Sequence, residues 1–132
     1  MVVRLVVIIL LILPSDTHVY YVTPTNSLRS ECPGQPCETL DHYFKKGDRY
    51  FSRSKVNVMM KFLLGIHNLS SNSFHFEDLN RFEMIGLKPA DDVIVHVSAT
   101  VNFTNTAAVL IESLTIKKPN HMPDSGFIWY QF

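Results

Sequence analysis

Residues 74–87 read FHFEDLNRFEMIGL and residues 101–114 read VNFTNTAAVLIESL. A shift of 27 residues lays one on the other. Phe74-His75-Phe76 falls on Val101-Asn102-Phe103, Asp78 on Asn105, Phe82 on Val109, Met84 on Ile111 and Leu87 on Leu114. A second shift carries Val101-Asn102-Phe103 onto Ile128-Trp129-Tyr130. The apolar positions come as apolar-x-apolar, the spacing of a strand with one face buried. A fixed period of this size marks stacked units that bury their apolar sides only against their neighbours. Two inward columns are therefore expected, Phe74/Val101/Ile128 and Phe76/Phe103/Tyr130, with His75, Asn102 and Trp129 outside.

Working outward, the same alternation appears in Val93–Val97, with His96 facing out, and in Val56–Leu64, after which Gly65 turns the chain. Residues 68–73 (NLSSNS) read as a polar turn. His18–Thr23 is a short strand closed by Pro24, and the proline-rich stretch to Cys37 is loop. Glu38–Lys46 reads as a helix with Leu40, Tyr43 and Phe44 on one face and Gly47 as its C-terminal stop. Leu114–Ile116 closes the second copy, residues 117–125 are loop, and Phe127–Phe132 is a last strand. Short strands at a period near 27, with one helix, describe a coiled all-β stack of parallel strands. A leucine-rich-repeat-like solenoid is the structural alternative. Ile111-x-x-Leu114-x-Ile116 fits its core spacing, but Met84-x-x-Leu87-x-Pro89 does not.

The chain has 132 residues, 46% of them apolar, with 12 basic and 12 acidic side chains. That is one domain of ordinary globular composition, with no basic stripe of the kind nucleic acid requires. Arg4 and the unbroken apolar run Leu5–Leu13, ended by Pro14, have the form of a signal peptide, with cleavage after Thr17. The run is shorter than the ~20 residues that span a bilayer. Residues 1–17 are thus expected to leave, and 18–132 to be secreted. In that compartment Cys32 and Cys37, separated by a Pro-Gly turn, are expected to form a local disulfide. Two cysteines without histidines at finger spacing do not make a tetrahedral metal site. Asn68-Leu69-Ser70 and Asn102-Phe103-Thr104 are N-glycosylation sequons, meaningful because the chain carries a secretory address.

Four stretches, taken together, carry a resemblance. They are Tyr20-Tyr21-Val22-Thr23-Pro24; Cys32-x4-Cys37-x-Thr39-Leu40-Asp41-x-Tyr43; Phe62-Leu63-x-Gly65-x-His67-x-Leu69; and the Val101–Ile116 copy. In this order they resemble secreted right-handed parallel β-helix proteins of pectin-lyase-like fold, numerous in sponges and other simple animals. The resemblance implies an N-terminal helix capping the first coil. It transfers no catalytic residue. It also implies many more coils than the two and a half here, so 18–132 is expected to be the cap and first coils of a longer domain.

Pectin-lyase-like folds include polysaccharide lyases and hydrolases, which makes carboxylates the residues to weigh. Glycoside hydrolysis needs two flanking one bond. The adjacent pairs are Asp91-Asp92 and Glu77-Asp78, both read as solvated turn residues; Arg81 near the second pair becomes Ala108 one repeat on. His67, His75 and His96 do not share the repeat register and read as surface or turn histidines rather than metal ligands. Trp129 and Tyr130 suit contact with a further coil better than sugar stacking. No catalytic, cofactor or metal residue is assigned. The function expected is a structural or adhesive extracellular module facing glycans or proteins. The alternatives are the N-terminal part of a carbohydrate-active enzyme or of a receptor ectodomain anchored by a segment beyond residue 132.

Overall fold

The computed structural model describes residues 17–25, 32–51, 56–70, 73–88, 92–118 and 128–131. The expected signal peptide up to residue 16, Asp91, most of the loop after Lys117, Phe132 and the side chains of 128–131 lie outside the described residues. Eleven strands and two short helices are described: β1 (Thr17–Val22), β2 (Cys37–Glu38), α1 (Leu40–Lys45), α2 (Gly47–Tyr50), β3 (Asn57–Phe62), β4 (Gly65–Leu69), β5 (Ser73–Glu77), β6 (Arg81–Gly86), β7 (Val93–Val97), β8 (Thr100–Thr104), β9 (Ala108–Glu112), β10 (Thr115–Lys117) and β11 (Ile128–Gln131).

Among the described residues all strand pairing is parallel and falls into three sheets. Their orders are β2-β1-β3-β6-β9, β10-β7-β4 and β11-β8-β5. From β3 onward each strand pairs with the one three places later, so the chain visits the three sheets in turn. The 27-residue register holds throughout the third sheet: Phe74 pairs with Val101 and Val101 with Ile128, Phe76 with Phe103 and Phe103 with Tyr130. In the first sheet Phe82 lies beside Val109 and Met84 beside Ile111, as the repeat requires. Elsewhere the spacing varies, because the loops between strands differ in length: Asn57 to Arg81 in the first sheet, Gly65 to Val93 and Ile94 to Thr115 in the second.

Phe74, Phe76, Val101 and Phe103 are buried and His75 is exposed. Asn102 faces outward yet is half-buried, since strands flank it on both sides. The interior is aromatic. Phe82 lies 4.9 Å from Phe103 and 6.0 Å from Phe76, ring centre to ring centre. Phe44 meets Phe74 at 5.4 Å and Phe76 at 5.1 Å, edge to face. Such pairs add to the area term that drives burial. The face Leu40, Tyr43, Phe44 is buried, as its i, i+3, i+4 spacing predicts.

Several local expectations are corrected. Helix α1 begins at Leu40, because Thr39 takes the N-cap and its hydroxyl accepts the His42 N–H, while Glu38 remains in β2. Gly47 does not stop the helix in a left-handed conformation. It opens α2, and its bare Cα lets the Phe76 ring approach within the space a Cβ would take. Residues 65–69 form strand β4 and Ser73 opens β5, so both ends of the polar turn expected at 68–73 belong to strands. Leu87 is exposed although its counterpart Leu114 packs against the core.

Candidate functional site

The residues singled out in the sequence do not converge on one place. Cys32 and Cys37 are joined in a disulfide. Cys37 opens β2 opposite Tyr21, so the bridge holds the loop against the edge of the first sheet, with Gly34 lying under the Tyr21 ring. Asn68 is exposed on β4 and Asn102 half-buried on β8, in different sheets. Both sequon hydroxyls are engaged: Ser70 donates N–H and Oγ–H to Asp41 Oδ1 (2.8 and 3.0 Å), and Thr104 Oγ1 lies 2.9 Å from His75 Nε2.

Glu77 and Asp92 are exposed. Asp78 is occupied in a corner of the fold, where its Oδ1 accepts the Asn105 side-chain amide at 2.6 Å. The three histidines separate. His75 and His96 are exposed on different sheets, and His67 is completely buried, contrary to the surface or turn position expected for it. It lies in register with Val95 on the inward side of β4. Its Nε2–H donates to the Leu63 carbonyl at 2.8 Å, and its ring meets Phe62 edge-on at 5.0 Å. Burial pushes its pKa below the usual 6.5, against the Leu63 hydrogen bond, which favours the charged form. Tyr43 is similarly enclosed. Its hydroxyl donates to the Tyr21 carbonyl (2.8 Å) and accepts the Glu38 N–H (3.1 Å), and burial raises its pKa far above the usual 10. Among the described residues no three His, Cys, Asp or Glu side chains are grouped to hold a metal ion.

A cleft of about 330 Å³ on the outer face of the first sheet carries polar side chains. It lies at the entrance of β1, β3 and β6, where register places Asn57 between Thr17 and Arg81, and Met59 beside Glu83. Asn80, one residue before β6, donates its side-chain N–H to Asn57 Oδ1 at 2.6 Å. Arg81 and Glu83, two apart on one strand, point to the same side and form an ion pair. The Glu83 side chain is only 11% exposed, whereas that of Arg81 is 50% exposed. A covered carboxylate is thus paired with the guanidinium of a half-exposed arginine. Val58, Met59 and Thr17, the residue after which the expected signal-peptide cleavage falls, complete the lining. Arg81 is near Glu77-Asp78 in sequence, but its ion-pair partner is Glu83. The available signal was the Arg-x-Glu spacing within a strand; Asn57 and Thr17 come from distant turns of the chain and carried none.

No family model, no curated protein and no solved structure matches this chain. Among the described residues no helix is long and apolar enough to cross a membrane.

Proposed function

We propose that the chain is a secreted, non-catalytic extracellular module, structural or adhesive, built as a right-handed parallel β-helix with α1 capping its first coil. The observation that carries this reading is the strand order, in which β3-β6-β9, β4-β7-β10 and β5-β8-β11 advance together through three parallel sheets. Its hand follows from the right-handedness of parallel crossover connections, which holds in about 98% of cases. Three strands per turn favour it over a leucine-rich repeat, which alternates a strand with a helical segment. The disulfide and two outward-facing sequon asparagines support an extracellular address.

The test is to express residues 1–132 in a eukaryotic secretory host. The expected product is a protein in the medium that starts at His18, loses mass on endoglycosidase treatment, and releases no new chain ends from polygalacturonate, xylan or glucan. Retention of the apolar segment in membranes, or release of sugar chain ends, contradicts the proposal.

A further inference from the structure

We infer that the apolar patch on the outer face of the second sheet is covered by the chain's own N-glycan, attached at Asn68. The inference rests on the secretory reading and gives one of its sequons a structural task. Leu64 and Ile66, 55% and 50% exposed, are the two most exposed large apolar side chains among the described residues. They lie two apart, Leu64 at the corner that leads into β4 and Ile66 on the outer face of that strand. Ile66 pairs in register with Ile94, which is half-buried on the same face of β7. The outward positions of β5 and β8 are polar by contrast: Ser73, His75 and Glu77, and Thr100, Asn102 and Thr104. A contiguous exposed apolar surface of this kind marks a place that something covers.

The sequon decides what covers it. Asn68 is the next outward residue after Ile66, so the two side chains leave one face of β4 about 7 Å apart. The strand that carries them is held from both sides. Thr25 donates its backbone N–H to the Ile66 carbonyl at 3.0 Å, and its hydroxyl accepts the Asn68 N–H at 3.1 Å. Ser70, the last sequon residue, is tied to Asp41. A glycan therefore starts from a fixed point beside the patch.

In the secretory pathway the donor is a sugar chain on a lipid diphosphate. The bond from sugar C1 to Asn68 Nδ2 forms as the C1–O bond to diphosphate breaks, and the amide gives up one proton. The first sugar is an N-acetylglucosamine, whose ring C–H face and acetyl methyl are apolar. Tethered beside Ile66, it meets Ile66 and Ile94 without the loss of translational freedom that a separate partner pays. Burial of aliphatic surface under that sugar ties glycosylation to stability.

The experiment uses residues 1–132 secreted from a eukaryotic host that makes oligomannose chains, with Asn102→Gln removing the other sequon. Mass spectrometry should find Asn68 occupied. One portion is trimmed with an endoglycosidase that leaves a single N-acetylglucosamine. Another is treated with an amidase that removes the whole glycan. The single-sugar form should unfold at nearly the same temperature as the untrimmed protein, and the bare form about 3 °C lower or more. In an Ile66→Thr background the gap between single-sugar and bare forms should shrink by roughly half or more. Precipitation of the bare form that Ile66→Thr prevents counts as the same result. An unoccupied Asn68, equal unfolding temperatures for the single-sugar and bare forms, or a gap that Ile66→Thr leaves unchanged overturns the inference. The last outcome would mean that the glycan, or the carboxylate the amidase leaves, acts without the patch. Secretion, start at His18 and absence of cleavage activity are read separately on the same protein. Failure here thus leaves the extracellular module standing, without this role for its glycan.

Discussion

Asn105 donates its side-chain amide to the carboxylate of Asp78, 2.6 Å away and 27 residues earlier in the chain. Both residues have left-handed backbone, φ 47° and 61°, a conformation that short polar side chains tolerate far better than others. The pair sits where the chain leaves the third sheet for the first, after β5 in one turn and after β8 in the next. The same corner is thus built twice and cross-linked to itself.

Replacing Asn105 by Val should therefore be costly at an exposed position. The variant loses the bond to Asp78 and forces a β-branched residue into a left-handed conformation, together about 2–4 kcal/mol. Asn105→Gly restores the backbone freedom and should recover roughly half of that. Urea unfolding midpoints of the three proteins measure it; equal midpoints for Val and Gly would show that backbone strain plays no part.

In the core, Phe103→Ala should cost ~3–5 kcal/mol. The ring touches Phe76 and Phe82 and is 2% exposed. Its neighbour Asn102, pointing to the other face, should accept Ala at under about 0.5 kcal/mol. A chemical-denaturation comparison of the two variants checks the alternation directly, and similar losses would contradict it.

Tyr43→Phe keeps the packed ring but strands the Tyr21 carbonyl and the Glu38 N–H that its hydroxyl serves. Leaving such buried groups unsatisfied costs ~1–3 kcal/mol. The loss should appear as a lower midpoint with an unchanged denaturant slope, and a Phe variant as stable as the parent would show that water replaces the hydroxyl.

Stability should fall on mild acidification through His67. Its folded pKa lies below the unfolded value of 6.5, so between the two the unfolded chain binds the proton first and is favoured. The contribution is complete above pH 6.5 and is lost as the pH falls from there toward the lower, folded pKa. His67→Phe should flatten the stability profile between pH 6.5 and about 5, above the range where carboxylates titrate. Parallel profiles for parent and variant would contradict this.

How far the fold is legible from the residues depends on which element is asked. Phe74, Phe76, Val101 and Phe103 announce their strands because large apolar side chains alternate with polar ones in the same register twice. Strand β4 hides because its alternation is inverted: Gly65, His67 and Leu69 face inward while Ile66 is 50% exposed. A polar residue inside and an apolar one outside cancel the periodic signal, and Gly65, which reads as a turn residue, instead opens the strand with φ 131°. The helix face of Leu40, Tyr43 and Phe44 is legible from spacing alone, but its first residue is set by the Thr39 cap. The cleft is invisible along the chain, since Asn57 and Arg81 meet only when β3 pairs with β6.

The central claim is that the chain winds through three parallel sheets, so that residues 27 apart become neighbours. Its most direct test is cross-linking of outward positions His75 and Asn102, which pair across β5 and β8. With both changed to cysteine, a short thiol-to-thiol cross-linker should join them in the folded protein within a single chain. It should leave unjoined the pair His75→Cys and His96→Cys, which lie on different sheets. Failure to join 75 to 102, or equal joining of 75 to 96, would contradict the winding.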